Sequence, residues 1–280
     1  LEFYFGKLTD SSDILQTNRL SSDVFATFNE TDLAISPDRK TIDFCRDSNY
    51  DNQPEKSKLP EKPINLFRAD IDAEFNVIHI LPVSFNSETY SIRNPSISKD
   101  GRKLFFISNM PGGYGNYDIY VSNILENGSL SSPKNLGDNI NTFKDDLYPS
   151  LDKNNTLYFA SDMAGGYGNY DIYKASINED GTFGEAINLG QKVNTEGQEM
   201  FPYSSSNGTL YFSSDGHLGL GGLDVFHTKE IDGKYTPIRN VGVPANSNAD
   251  DFAFSINEET EQGFVSSNRE GGVGSDDIYA

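Results

Sequence analysis

The residues with chemistry to offer fall at regular intervals. Asp118, Asp171, Asp224 and Asp277 each follow a glycine-rich stretch and open an apolar run. The clearest copy reads Gly165-Gly166-Tyr167-Gly168-Asn169-Tyr170-Asp171-Ile172-Tyr173, and the same text occupies 112–120. A carboxylate in that setting has two uses. It can ligate a hard cation, calcium above all, or it can accept backbone N–H bonds from the loop before it. The last copy, Gly271-Gly272-Val273-Gly274-Ser275-Asp276-Asp277-Ile278-Tyr279, fits the calcium nonapeptide pattern G-G-x-G-x-D-x-U-x. Nonapeptides of calcium rolls come in tandem, however. Here they lie a whole repeat apart, and the other copies carry an extra residue before the aspartate. The structural use is the favoured reading, with an isolated calcium site as its alternative.

Other reactive groups form no constellation. His79, His217 and His227 lack metal-ligand spacing. Cys45 is the only cysteine, so there is no disulfide framework and no cysteine-based zinc site. It stands in the apolar run Phe44-Cys45-Arg46 and reads as a packing residue. A sialidase-type Asp box needs a tryptophan, and the chain has none. Propeller glycosidases work with carboxylate pairs; among 42 acidic residues no pair stands out. No nucleophile and base are paired, so the expectation is a non-catalytic protein without cofactor or metal. Its alternatives are a glycan hydrolase and a calcium-dependent glycan-binding protein.

Charge removes further classes. The formal net charge is −20. Nucleic-acid binding rests on clustered Lys and Arg, and docking on anionic lipid needs the same. No stretch approaches the ~18 apolar residues of a membrane helix, so no membrane insertion of this domain is expected. The chain opens at Leu1 without an initiator Met, as a mature or partial chain does, so the lack of a leader says little about export.

The elements that carry the aspartates are repeated with them. Leu104, Leu157, Leu210 and Gly263 step by 53 residues, as do Ile119, Ile172, Val225 and Ile278. Ile42 and Leu66 belong to a first copy whose loop, within 46–64, is longer. Each copy reads as four short strands. A turn such as Lys99-Asp100-Gly101 joins the first two, the glycine loop the next two, and Glu126-Asn127-Gly128 or Glu179-Asp180-Gly181 the last two. The second strand is apolar on both faces (Leu157 and Phe159, Tyr158 and Ala160), as in a blade packed between two neighbours. The pattern predicts an all-β, five-bladed β-propeller of four-stranded antiparallel blades in a single domain, 1–280. The repeats span about 31–93, 94–146, 147–199, 200–250 and 251–280. Copy five stops after its third strand, and Tyr4 lies in register with the second half of a unit. Residues 1–30 are therefore expected to complete the last blade beside Asp276–Tyr279, which would remove its open edge.

The turns Ser36-Pro37-Asp38-Arg39-Lys40 and Ser98-Lys99-Asp100-Gly101-Arg102-Lys103, with Phe105-Phe106-Ile107-Ser108-Asn109 and Tyr117-Asp118-Ile119-Tyr120, resemble WD40-like, TolB-type propeller repeats over roughly 31–279. Arg39 stands where those repeats usually have glycine, and copy five has lost the turn text. The Met110-Pro111-Gly112-Gly113-Tyr114-Gly115 wording is most similar to the propeller of OmpA-family envelope proteins of Bacteroidetes, some of them in type IX secretion machinery. That resemblance implies a protein-interaction or scaffold role in the cell envelope, periplasmic or outer-membrane-associated, as a secretion-system or peptidoglycan-associated component with a protein partner.

In a four-stranded meander the connections alternate between two faces. The short turns share one face; the glycine loops, the blade-to-blade links and the insertion 46–64 share the other. The long-loop face is the expected docking face. Its candidate residues are Tyr114, Asn116, Tyr167, Asn169 and His217, with Asp145, Asp146 and Asp250 of the acidic links.

Overall fold

The computed structural model describes residues 4–8, 14–19, 30–47, 63–74, 76–272 and 274–280. Most of the long first loop, 48–62, lies outside the described residues. The chain is an all-β propeller of five antiparallel blades. Ahead of them, β1 (Tyr4–Leu8) pairs with β2 (Ile14–Arg19). Blade 1 holds β3 (Glu30–Ile35), β4 (Thr41–Arg46), β5 (Asn65–Ile71) and β6 (Val77–Pro82). Blade 2 holds β7 (Ile92–Ile97), β8 (Lys103–Ser108), β9 (Asp118–Asn123) and β10 (Lys134–Asn135). Blade 3 holds β11 (Asp146–Leu151), β12 (Thr156–Ser161), β13 (Asp171–Ser176) and β14 (Ile187–Asn188). Blade 4 holds β15 (Glu199–Ser204), β16 (Thr209–Ser214) and β17 (Asp224–Ile231), with β18 (Lys234–Tyr235) and β19 (Arg239–Asn240) both on β17. Blade 5 holds β20 (Asp251–Asn257), β21 (Gln262–Ser267) and β22 (Asp277–Tyr279). Packing gathers the blades into two compact units, one with blades 1 and 2 and one with blades 3 to 5.

One expectation needs correction. Among the described residues blade 5 has three strands, and the N-terminal strands do not add to it; β1 and β2 pair with each other. Only residues 9–13 separate them, and loop-closure entropy favours the short hairpin over pairing with a strand at the far end of the chain.

Both faces of the second strands are covered, as their double apolar pattern requires. Leu104, Phe105, Phe106 and Ile107 are all buried. Leu104, Phe106 and Tyr120 of blade 2 pack on Cys45 and Leu66 of blade 1. Tyr158, Ala160 and Ile172 of blade 3 pack on Leu210, Phe212 and Phe226 of blade 4. Cys45 is thus a core residue, wholly buried. Blade 5 departs from this. Val265 lies against blade 4, while Phe264 and Ile278 on the other face are 38% and 66% exposed.

The first strands of neighbouring blades pack together, β3 on β7, β11 on β15 and β15 on β20. Each of these strands carries a bulge, and at the bulge Asp32, Asn94, Tyr148, Phe201 and Ala253 take positive φ. In blades 3 to 5 the bulges bring Tyr148 onto Phe201, with ring centroids 4.2 Å apart, and Phe201 onto Phe252 at 5.2 Å.

The short turns are built as their residues predict. Asp100 Oδ1 accepts the Arg102 N–H at 3.0 Å and the Ser98 hydroxyl at 2.6 Å. Asp38 repeats both bonds with Lys40 and Ser36. The position after the aspartate is left-handed, with φ +69° at Gly101 and +59° at Arg39, so Arg39 occupies backbone that blades 2 and 4 give to Gly101 and Gly208.

Candidate functional site

The glycine loops are organised by the four repeated aspartates. Asp118 accepts the N–H groups of Tyr114 at 2.6 Å and Gly115 at 3.0 Å, and the Asn135 amide at 2.9 Å. Asp171 does the same with Tyr167, Gly168 and Asn188 at 2.7, 3.1 and 2.7 Å. Asp224 takes the Leu220 and Gly221 N–H groups at 2.7 and 2.9 Å, and Asp277 takes that of Gly274 at 3.1 Å. This is the structural use of the carboxylate. It also explains the paired glycines. Gly112, Gly165 and Gly271 have φ of +95°, +93° and +98°. The next residue, Gly113 or Gly166, has ordinary φ but no room, because a Cβ there would lie 2.2 or 2.4 Å from the aspartate Oδ2.

A second repeated device was missed in the sequence. Asn141 accepts the Ile119 N–H at 2.8 Å and donates to the Ile119 carbonyl at 2.9 Å and to Asn135 Oδ1 at 2.8 Å. Asn194 binds Ile172 and Asn188 in the same way, and Asn246 binds Val225 and Asn240. The signal was present as Asn-Leu-Gly-x-x-x-Asn at 135–141 and 188–194, and Asn-Val-Gly-x-x-x-Asn at 240–246. Each such asparagine holds the strand that the loop aspartate opens, so loop, third strand and outgoing link form one hydrogen-bonded body.

The loops also clasp the next blade. In blade 3 the Asn169 N–H donates to the Gly197 carbonyl at 2.8 Å, and the Glu199 N–H donates to the Tyr170 carbonyl at 2.7 Å. In blade 4 the Asp251 N–H donates to the Leu223 carbonyl at 2.6 Å, and Asp250 Oδ1 accepts the Leu223 N–H at 2.9 Å. The entry strands of blades 3, 4 and 5 begin with a buried acid, Asp146, Glu199 and Asp251 respectively. Glu199 accepts the Thr195 N–H and hydroxyl, both at 2.7 Å, and the Ser214 hydroxyl at 2.6 Å. Burial nevertheless pushes its carboxyl above the usual range, more than these bonds lower it. Asp251 pairs with Arg269 at 2.6 Å.

The predicted face residues separate into two kinds. Tyr114 and Tyr167 are 52% and 44% exposed, and Asn116 and Asn169 are exposed beside them. Asp145 and Asp250 are half-buried, each with its N–H donated to the side chain of Asp162 or Asn268 at 2.8 Å. His217 is half-buried too. Its Nε2 lies 2.8 Å from the Val193 carbonyl and its ring packs on Phe226 at 5.1 Å, so it braces the blade 4 loop. Asp146 is wholly buried and is not available at the surface, because it is the first residue of a strand enclosed by its neighbours. Tyr114 and Asn116 belong to the first unit and the others to the second.

Among the described residues no three His, Cys, Asp or Glu side chains gather as a metal site. A shallow cleft of about 300 Å³ lies between blades 4 and 5, lined by Tyr203, Ile256, Thr260, Gln262 and Phe264 among others. It adjoins the short turns, away from the glycine loops.

No protein-family model and no curated protein matches the sequence. Solved structures do. A putative TolB from Agrobacterium tumefaciens superimposes with a TM-score of 0.59 at 14% identity, over 90% of this chain and 73% of that one. The fold is TolB-like. A puromycin-hydrolyzing peptidase of Mycobacterium tuberculosis matches over the same share of this chain, with a TM-score of 0.57 and 16% identity. Prolyl oligopeptidase B from Galerina marginata matches over 86%, with a TM-score of 0.54 and 10% identity. The chain spans only 36% and 31% of those two peptidases. At such identities the likeness concerns the fold, not hydrolysis.

Proposed function

We propose that this chain is a non-catalytic protein-interaction module of a bacterial cell envelope, periplasmic or outer-membrane-associated, that docks its partner on the long-loop face. One observation carries the reading. The repeated acids at the loops are occupied with backbone N–H groups, whereas the residues those loops present outward include an aromatic or apolar side chain at one repeated position. Tyr114, Tyr167 and Leu220 stand at equivalent places, 53 residues apart, and are 52%, 44% and 53% exposed. Tyrosine on a pinned loop offers contact area at small entropic cost. The TolB-like fold and the sequence resemblance to OmpA-family envelope proteins support the location, and type IX secretion machinery is one setting for it.

The test is capture from envelope extract by the isolated chain. Tyr114→Ala with Tyr167→Ala, and separately deletion of 50–62, should abolish capture of the specific partner. Capture that survives both changes but is lost on substitution in the short turns would move the interface to the opposite face. No turnover is expected on a panel of peptide and glycan substrates; hydrolysis of any of them would overturn the non-catalytic reading.

A further inference from the structure

The blade 4 loop departs from the text of its repeat mates. Where blade 3 has Met163-Ala164-Gly165-Gly166-Tyr167-Gly168-Asn169-Tyr170, blade 4 has Gly216-His217-Leu218-Gly219-Leu220-Gly221-Gly222-Leu223. The position equivalent to Gly165 is Leu218, which is 98% exposed, and Leu220 beside it is 53% exposed. Among the described large apolar side chains Leu218 is the most exposed, and Leu220 stands two residues away on the same tip.

The tip is held rigidly. The Gly216 and His217 N–H groups donate to Ser214 Oγ at 3.0 and 3.2 Å. The His217 ring is anchored at the Val193 carbonyl, and the Leu220 and Gly221 N–H groups end on Asp224. The Gly222 N–H reaches the Ala249 carbonyl at 3.3 Å. The Leu218 side chain is 98% exposed and packs into none of this framework, so folding of the loop does not account for it. A preorganised apolar anchor loses little freedom on binding.

Acidic groups flank the tip. Asp215 opens the loop, exposed, and holds the Gln198 N–H at 2.7 Å, which places Glu196 of the same link close by. Asp250 holds the Leu223 N–H on the other side. The nearby Arg269 is engaged with Asp251 and with the Pro244 and Ala245 carbonyls.

We infer that Leu218 and Leu220 form an anchor that packs against an apolar, Lys- or Arg-flanked segment of a partner protein. This rests on the proposed docking face and deepens it by naming the anchor and the chemistry of what receives it. Apolar packing supplies affinity, and opposite charge around it supplies orientation and association rate.

The probe is a synthetic peptide of alternating Lys and Leu, with Lys–Ser and Glu–Leu peptides of the same length as controls, titrated against the whole chain by fluorescence anisotropy. The Lys–Leu peptide should bind, and Leu218→Ser with Leu220→Ser should weaken it at least tenfold with an unchanged melting curve. Glu196→Gln should steepen neither loss nor gain of the apolar term but reduce the salt dependence. The inference is overturned if the Lys–Leu peptide does not bind, if Lys–Ser binds equally well, or if the leucine substitutions leave the dissociation constant unchanged. The two readings separate in the capture experiment. If the tyrosine substitutions abolish capture and the leucine substitutions do not, the docking face stands and the anchor falls.

Discussion

The side-chain amide of Asn194 closes on the backbone of Ile172, accepting its N–H at 2.8 Å and donating to its carbonyl at 3.0 Å. Both partners are buried, so no solvent competes for the backbone groups. The same amide also holds Asn188, which holds Asp171, which holds the glycine loop. One buried asparagine therefore ties the outgoing link to the third strand of blade 3, beside the β13–β14 pairing and the Leu189 N–H bond to the Ile172 carbonyl.

Asn194→Ala should cost on the order of 1–3 kcal/mol, since the buried Ile172 N–H loses its partner, while the Ile172 carbonyl keeps the Leu189 N–H at 3.1 Å. Asn169→Ala, at an exposed site in the same blade, should stay within about 0.5 kcal/mol. Urea unfolding of the two variants makes the comparison, and equal midpoints would show that the amide bonds contribute nothing beyond their neighbours.

Gly166→Ala should destabilise by roughly 2 kcal/mol or more, the range of strain at constrained sites. The added Cβ would lie 2.4 Å from Asp171 Oδ2 and 3.1 Å from Tyr173 Oη. Combined with Asp171→Ala the effects should be less than additive, because the second change removes the atom with which the first collides. Strict additivity in a double-mutant cycle would mean that the glycine is needed for some other reason.

Arg68 bonds Asp43 through Nε and Nη2 at 2.9 and 2.7 Å and reaches the Gly128 carbonyl of blade 2 at 2.8 Å. Asp43 is wholly buried, and burial raises its carboxyl despite the arginine. Arg68→Ala strands that charge and should cost about 3–5 kcal/mol. Replacing both residues by apolar ones of similar volume should recover most of the loss; a double variant as unstable as the single one would refute the account.

For Glu199 the sign follows from its raised carboxyl. The folded state holds the proton more tightly than the unfolded one, so this group's contribution to stability is greatest at low pH and falls as pH rises through the folded value. Relative to Glu199→Gln, the wild-type melting temperature should therefore gain on going from about pH 7 to pH 4.5, the range over which a raised carboxyl titrates. A shift in the opposite sense would mean that the three hydrogen bonds to the carboxylate outweigh its desolvation.

Removal of calcium by chelator should leave the melting curve unchanged. The loop aspartates direct their oxygens at backbone N–H groups, which a cation would have to displace. Stabilisation by several degrees on adding calcium would restore the metal reading of these loops.

The sequence by itself determined everything that repeats locally. Strand pairs, turn chemistry and the role of Asp118 and Asp171 are written within about a dozen residues, where the bonding partners are close along the chain. Even the odd Arg39 could be placed, because its turn mates Gly101 and Asn155 mark the left-handed position. Tertiary structure decided what depends on distant pairing. It set which strand meets β1, enclosed Asp146 between strands although its text reads as an acidic surface link, and turned His217 inward onto Val193, 24 residues away. It also joined Asn194 to Ile172, although both halves of that device were visible as text. The physical reason is that periodicity reports which face a side chain takes within its own strand. Burial and hydrogen-bond partners depend on the register and packing of strands that come together only when the blades assemble.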